Sequence, residues 1–128
     1  MAANASDGAT LSTQETIDRF NAVFNEHDVD GVMNMMTEDV IFENTSPRPD
    51  GERYEGSKAV RVFWDDFFRN SPHARFDAED IFVAGDRATV LWVYHWIDSN
   101  GTAGHVRGVD VFRVRDGKIA EKLSYVKG

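Results

Sequence analysis

Apolar residues in the first seventy positions of the chain recur at the three- and four-residue spacing of helices. The pattern predicts three helices, which start close to Ser12, Asp28 and Ser57. Each of these residues suits an N-cap, because its side-chain oxygen can accept a hydrogen bond from a backbone N–H of the first helical turn. The first and third helices carry broad apolar stripes. Both stripes must therefore pack against an apolar surface elsewhere in the chain.

The last third of the chain, residues 87–127, alternates between apolar and polar positions, as strands do. Asn100-Gly101 and Asp116-Gly117 interrupt the alternation, and such pairs supply the positive φ angles of two-residue hairpin turns. Helices followed by strands predict an α+β domain, with a curved antiparallel sheet wrapped around three N-terminal helices. Residues 1–11 are small and polar and are expected to be loosely ordered, which leaves residues 12–128 as a single domain.

The two turns fix a register, and the register assigns side chains to the faces of the sheet. With two central residues in each turn, Asp110 lies between Leu91 and Leu123 on a mainly aliphatic face. We therefore expect the helices to cover this face and to leave a cavity at its open end. His95 shares the face, at roughly 13 Å from the position opposite Asp110, since each residue of a strand advances it by about 3.3 Å. The two side chains are expected to bracket a ligand from opposite ends.

The other face of the predicted sheet carries three aromatic side chains in a row. They are Trp92, Tyr94 and Trp96, with Arg107 and Val109 beside them on the next strand. An exposed aromatic row usually marks an interface, because large apolar side chains are costly to leave in water. These five residues are therefore predicted to form the interface of a homodimer that packs sheet to sheet.

Composition and charge argue against several kinds of function. The net charge of −8 disfavours nucleic acids and anionic membranes as partners. Without cysteine there is no disulfide and no thiol nucleophile. The histidines and carboxylates lack metal-ligand spacing, and there is no glycine-rich phosphate loop, so neither a metal nor a cofactor is expected. The N-terminus lacks the features of a signal peptide, and no apolar run is long enough to span a bilayer, which predicts a cytoplasmic protein.

Three segments carry a resemblance to a known family: "TEDVIFEN", a loop that ends in "YEG", and "GVDVFRVRDGKI" before the last strand. Together with the order of the elements, they resemble the NTF2-like superfamily, and within it the SnoaL-like polyketide cyclase and ketosteroid-isomerase-like branch. The resemblance implies a cone, formed by a curved sheet around three helices, usually dimeric and with a ligand pocket inside. Its members include isomerases, cyclases, hydratases and many proteins that are not enzymes, so the fold alone leaves the function open.

The resemblance also assigns roles to single residues. Asp110 falls where ketosteroid isomerases keep an acid that donates a hydrogen bond to a developing oxyanion. Asn44 falls at the position of their general base, and Phe20 at that of their oxyanion-hole tyrosine. An amide cannot abstract a proton and a phenyl ring cannot donate one, which argues against steroid isomerisation by that mechanism. His95 is a rough match for a histidine that the cyclases pair with their acid, so the catalytic candidates are Asp110, His95 and Asn44.

The predicted function is binding of an apolar small molecule, with cofactor-free acid–base isomerisation, cyclisation or hydration of a carbonyl compound. The residues expected to line its pocket are Phe20, Met36, Tyr54, Trp64, Phe67, Leu91, Val93, Leu123 and Tyr125. A binding module without catalysis is the first alternative. The second is a dimerisation domain whose cone is filled by its own large side chains.

Overall fold

The computed structural model describes residues 11–127. Its helices are α1 (Thr13–Asn25), α2 (Val29–Asn34) and α3 (Ser57–Asn70). Its strands are β1 (Met36–Glu43), β2 (Arg53–Glu55), β3 (Arg75–Ala84), β4 (Arg87–Ile97), β5 (Ala103–Arg115) and β6 (Lys118–Val126). Of the N-terminal segment predicted to be loosely ordered, only Leu11 lies within the described residues, where it packs against the core. None of the described helices is long and apolar enough to cross a membrane; the cytoplasmic location stays a prediction.

Local hydrogen bonds explain where the helices begin. The Ser12 hydroxyl accepts from the Glu15 N–H at 3.1 Å, and the Glu15 carboxylate accepts from the Ser12 N–H at 3.0 Å, which confirms a capping box for α1. Asp28 caps α2 through the N–H of Gly31 at 2.9 Å. The prediction for α3 is wrong by one residue, because its N-cap is Gly56, which has no side chain to accept a bond.

The six strands form one sheet in the order β2-β1-β6-β5-β4-β3. All neighbours are antiparallel except β1 and β6, which run parallel. The three helices pack against one side of the sheet, which we call the concave face; the other side is the convex face. The apolar stripes of α1 and α3 meet this concave face in a core of aromatic and branched side chains. The predicted α+β class with three helices and a curved sheet is confirmed.

The hairpin between β4 and β5 differs from the predicted two-residue turn. Asp98 pairs with Thr102 across it, and the Asp98 carboxylate accepts from the N–H groups of Asn100 and Thr102, each at 2.9 Å. Three residues, Ser99 to Gly101, therefore lie between the paired Asp98 and Thr102. Val90 instead of Leu91 is opposite Asp110. Since side chains alternate, the extra residue moves every β4 side chain to the other face.

A bulge between β5 and β6 makes a second change of register. The predicted Asp116-Gly117 turn is present, with φ angles of 53° and 74°. Val114 pairs with Ile119, but the preceding Arg113 pairs with Glu121, so Ala120 is an extra residue on β6. Beyond this bulge the side chains of β6 change face. Lys122 and Ser124 therefore reach the concave face, and Leu123 and Tyr125 lie on the convex face.

The aromatic row that predicted a dimer interface lies inside the molecule. Trp92 is 5% exposed and belongs to the core, and Tyr94 packs against that core. Trp96 follows on the same face, with its ring centroid 5.6 Å from that of Tyr94. Their assignment to an outer surface is wrong, because the three-residue loop shifts β4. Arg107 and Val109 do lie on the convex face, opposite Val93 and Leu91.

Candidate functional site: a buried Asp–Lys–Ser cluster in an aromatic cone

Three polar side chains meet on the concave face, Asp110 from β5 and Lys122 and Ser124 from β6. We call them the polar cluster. The Ser124 hydroxyl donates to Oδ1 of Asp110 at 2.6 Å and accepts from Nζ of Lys122 at 3.0 Å. The same Nζ lies 3.3 Å from Oδ2 of Asp110. The side chains of Lys122 and Asp110 are only 6% and 9% exposed, so this is a buried ion pair bridged by a hydroxyl.

The sheet register brings the polar cluster together. Asp110 is paired directly with Ser124, and the next inward position of β5, Phe112, is paired with Lys122. On the other side of β6, the parallel strand β1 places Phe42 beside Lys122. The bulge at Ala120 is therefore the feature that turns a lysine and a serine toward the core.

Aromatic rings surround the charged end of Lys122. Its Nζ lies 4.8 Å from the ring centroid of Phe42 and 5.4 Å from that of Trp64, within the range of cation–π contacts. Burial lowers the pKa of Lys122, and the negative charge of Asp110 opposes that shift. The lysine thus loses hydration but retains a counter-charge, a hydroxyl and two aromatic faces.

Two small chambers open on either side of Lys122 and Trp92. The inner chamber lies between α1 and the sheet, beside Asp110. Its volume is about 20 Å³, which is enough for one water molecule. Phe20, Asn21 and Phe24 form its helical wall. Nearby, the Asn25 side chain fixes α1 to β3 by two hydrogen bonds to the backbone of Phe76, at 2.8 and 2.9 Å.

The outer chamber is larger and mostly aromatic. Its volume is about 100 Å³. Its aromatic walls are Phe42, Phe63, Trp64, Phe67, Phe76, Trp92 and Tyr94. Asn44, Thr45 and Val126 also line it, and Lys122 and Ser124 supply polar atoms at its floor. The arrangement suits an apolar ring with an oxygen directed at the polar cluster.

Two buried donors among the chamber walls are unsatisfied. The indole nitrogens of Trp64 and Trp92 have no hydrogen-bond partner within the part of the chain that the structure describes. Buried indole N–H groups usually have one, because an unpaired donor loses its hydration without compensation. An oxygen-bearing molecule in the outer chamber would offer an acceptor close to these rings.

Several residues predicted to form the site do lie at the chambers. Phe20 lines the inner chamber, and Trp64 and Phe67 line the outer one. Asn44 also lines the outer chamber; its side-chain oxygen accepts from the N–H of Thr45 at 2.9 Å. Tyr54 is one layer further out, where its ring stacks on Phe42 with centroids 5.8 Å apart.

Other predicted residues lie elsewhere, and their assignment to the pocket is wrong. His95 lies on the convex face, where Nε2 is 3.2 Å from Oδ2 of Asp77 and the side chain is 47% exposed. The register changes also move four predicted wall residues to the convex face: Leu91, Val93, Leu123 and Tyr125. Met36 is buried beneath α2 and α3, where it lines a separate surface pocket with Met33 and Lys118.

Lys122 and Ser124 are the two members of the polar cluster that sequence reasoning missed. One signal in the sequence pointed to the error: the two-residue register put the charged Glu121 on the aliphatic face. In the structure Glu121 lies on the convex face, 3.6 Å from the Arg113 guanidinium. A bulge between the turn and Lys122 would have removed that conflict. No group of three histidine, aspartate or glutamate side chains suited to a metal ion occurs among residues 11–127.

Comparison with known proteins agrees with this architecture. The family model of the SnoaL-like domain matches residues 17–122. The chain belongs to the SnoaL-like family. No curated protein matched it. A crystal structure of an NTF2-like protein of unknown function from Mesorhizobium loti is 44% identical, with a TM-score of 0.76 and 91% of each chain covered.

Two further solved structures resemble this SnoaL-like chain. A candidate polyketide cyclase from Pseudomonas putida is 25% identical, with a TM-score of 0.74, over 91% of this chain and 92% of its own. A protein from Mycobacterium tuberculosis, solved in complex with estradiol-17β-hemisuccinate, is 24% identical, with a TM-score of 0.77. The match covers 90% of this chain and 94% of that protein. At this level of identity the second likeness concerns the fold alone.

Proposed function

We propose that this SnoaL-like protein binds an apolar carbonyl compound in its cone and catalyses cofactor-free proton transfer on it. The observation that carries the proposal is the polar cluster, a carboxylate bonded to a lysine and a serine, at the junction of two chambers with aromatic walls. A protein of the same fold from Mycobacterium tuberculosis was solved with a steroid ester, an apolar ligand that carries oxygen atoms.

The resemblance implies that Asp110 is an acid that donates a hydrogen bond; we propose it instead as the base, because a lysine and a hydroxyl donor contact its carboxylate in place of the expected leucines. The Ser124 hydroxyl donates to Oδ1 of its carboxylate, and Nζ of Lys122 lies 3.3 Å from Oδ2. Its carboxylate would take a proton from the carbon next to the carbonyl; the electrons of that C–H bond become the new C=C bond, and negative charge develops on the oxygen. The Lys122 ammonium directs two of its three N–H groups at Ser124 and Asp110, and the third would stabilise this charge. Return of the proton at another carbon gives isomerisation, and attack on a second carbonyl gives cyclisation.

Asn44 has a proposed secondary role. It lies at the end of β1 on the wall of the outer chamber and cannot act as a base, but its amide can hold a water molecule. Such a water would move the second proton or add to the ligand in a hydration. His95, on the convex face, is too far from the chambers for this task.

The size of the outer chamber limits the ligand. An apolar cavity of about 150 Å³ is enough for benzene, and the outer chamber offers about 100 Å³ within the wall as it stands. Because the chamber is smaller than that cavity, we expect at most one ring to enter, and the rest of a larger ligand to extend past Asn44 and Val126 toward solvent.

Exchange of the methyl protons of acetophenone in deuterated water, followed by NMR, tests the proposal. Asp110→Asn should reduce the exchange rate by about 10²–10⁴-fold, the usual contribution of a positioned base. His95→Gln is the matched control and should leave the rate unchanged, because that side chain faces away from the chambers. An Asp110→Asn variant that is folded and exchanges at the wild-type rate would rule out the assignment of the base.

A binding module without catalysis is the second candidate, and the packing of the cone favours it. The ring centroid of Trp64 is 4.8–5.1 Å from those of Phe24, Phe42 and Phe63, so much of the interior is filled by the protein's own side chains. In that case acetophenone would shift the indole N–H resonances of Trp64 and Trp92, with no exchange above the background.

We also propose that the protein forms a homodimer. Its interface would be the convex face and would not include the aromatic row. Leu91, Val109 and Val111 present a continuous apolar strip there. Phe82 and Tyr125, at the two sides of the strip, are 57% and 56% exposed. Large exposed apolar side chains around a patch favour an interface. Sedimentation equilibrium should give a dimer, and Val109→Asp should give a folded monomer; a wild-type monomer would contradict the proposal.

A further inference from the structure

We propose that Lys122 is a nucleophile, and that its amine forms an iminium with an aldehyde or ketone bound in the outer chamber. The inference rests on the proposed function in one respect, that the chambers admit a carbonyl compound. It adds a covalent step, gives Lys122 the role of a nucleophile, and limits the substrates to aldehydes and ketones.

The position of Lys122 separates it from the other lysines of the chain. Lys58, Lys118 and Lys127 are exposed, whereas Lys122 is 5% exposed. Lys122 also lines both chambers. A carbonyl group in the outer chamber would therefore meet one lysine amine in an enclosed space, which favours a directed addition over random surface reaction.

The neighbours of Nζ provide a route for the protons. An amine attacks only in its neutral form, so the ammonium must first lose a proton. Oδ2 of Asp110 lies 3.3 Å away, and the Ser124 hydroxyl connects Nζ to Oδ1 of the same carboxylate. Burial also lowers the pKa of Lys122, which makes that loss easier.

The step balances without a further reactant. The ammonium gives one proton to Asp110, and the amine attacks the carbonyl carbon while the C=O π electrons move to oxygen. Asp110 returns its proton to that oxygen, which gives a carbinolamine. A second proton leaves nitrogen for the hydroxyl group, the C–O bond breaks, and water departs. One ammonium and one carbonyl compound thus become one iminium ion and one water.

The surroundings of Nζ suit the product as well as the free lysine. The iminium retains the single positive charge among the Phe42 ring, the Trp64 ring and Asp110, so no charge is created or lost in the buried site. It is also a stronger electron acceptor than the parent carbonyl group. Asp110 would then remove the neighbouring proton from the iminium, so the covalent step and the proposed proton transfer use the same groups.

Reductive trapping tests the inference. The full chain is incubated with benzaldehyde and sodium cyanoborohydride, and benzylated lysines are located by peptide mass mapping. We expect Lys122 to be labelled about tenfold or more faster than Lys58, Lys118 and Lys127, because the outer chamber holds the aldehyde beside its amine. Lys122→Arg retains the positive charge but is no nucleophile for this reaction, and it should lose the fast adduct while the slow surface labelling continues.

Benzyl alcohol, which cannot form an iminium, separates the failure of this inference from that of the proposed function. It should shift the indole N–H resonances of Trp64 and Trp92, which line the outer chamber, more than that of Trp96. If benzyl alcohol binds in this way but Lys122 is labelled no faster than the surface lysines, the iminium is wrong and the pocket remains. If neither benzyl alcohol nor acetophenone shifts these resonances, the proposed pocket is wrong, and the iminium with it.

Discussion

The two faces of the sheet carry the same kinds of charged pair in opposite surroundings. On the concave face, the side chains of Lys122 and Asp110 are 6% and 9% exposed. On the convex face, those of Arg107 and Glu79 are 49% and 46% exposed. Alternation along the strands produces both pairs, but water solvates only the second. The concave pair must therefore be judged by the cost of its burial, and the convex pair by the small gain left after hydration.

This difference bears on which pair the proposed chemistry would use. A buried ion pair pays a large desolvation penalty and is often no more stabilising than apolar residues of the same shape. An exposed pair costs little and contributes little. Stability alone is therefore a weak reason to keep Lys122 and Asp110 beneath aromatic rings, whereas a reactive amine and a positioned base need that environment.

The largest effect is expected from breaking the concave pair on one side. Lys122→Met leaves the Asp110 carboxylate buried without its cation and should lower the free energy of unfolding by about 3–5 kcal/mol. The double variant Lys122→Met/Asp110→Asn removes both charges and should recover much of this loss. Urea denaturation of both variants measures the difference. Equal losses would mean that the buried charge is not the source of the effect.

A smaller loss of stability is expected from adding a methyl group at Gly108, next to the Trp92 ring. A Cβ on Gly108 would meet the backbone carbonyl of Tyr125 and, at 2.5 Å, Cη2 of Trp92. Overpacking of this kind costs about 1–3 kcal/mol, so Gly108→Ala should be destabilised by that amount and should displace the Trp92 indole resonance.

Gly104→Ala on the same strand is the matched control for this variant. Its Cβ would meet the Trp96 side chain, with Cζ2 at 2.5 Å, and the nearest atoms include none of the backbone. A side chain at the edge of the core can rotate away, so a smaller loss of stability is expected from the same denaturation experiment. A larger loss for Gly104→Ala would contradict the view that Gly108 is the tighter contact.

The convex pair should contribute much less. Arg107→Gln removes the contact with Glu79, and both side chains are about half exposed. The expected loss is about 0.2–1 kcal/mol, the usual range for exposed pairs, and it should shrink further in high salt. Urea denaturation at low and high salt tests this. A loss as large as that of Lys122→Met would remove the contrast between the two faces.

The features that could be predicted from the sequence depend on neighbours along the chain. Ser12 and Glu15 are three residues apart, so their capping box could be recognised without a tertiary contact. The apolar stripes of α1 and α3 and the Asp116-Gly117 turn are equally local. These features were enough for the helices, the α+β class and the family resemblance.

The face assignments failed because register depends on single residues. The loop at Asn100-Gly101 is one residue longer than predicted, and the Asp98 carboxylate accepts hydrogen bonds from two of its backbone N–H groups. The bulge at Ala120 added another on β6. Each one-residue change inverts the strand beyond it, and as a result His95 faces outward and Lys122 faces inward. Asp110 was found because β5 itself kept the predicted alternation; its partners were missed because they lie on the inverted strand.

An exposed pair can still be detected through titration, and Asp39 offers the clearest case. The Arg115 guanidinium donates to Oδ1 of Asp39 at 2.5 Å and lowers the pKa of that carboxyl from 3.8 to about 2. The stability linked to this shift is present above the ordinary pKa and is lost as the pH falls through about 2. Arg115→Gln should return the pKa of Asp39 toward 3.8, as measured by carboxyl-carbon NMR, and should remove at neutral pH the small, solvent-screened stability that is linked to the shift. A pKa that stays near 2 in this variant would assign the shift to another group. A large loss of stability would show that exposure alone does not separate the two kinds of pair.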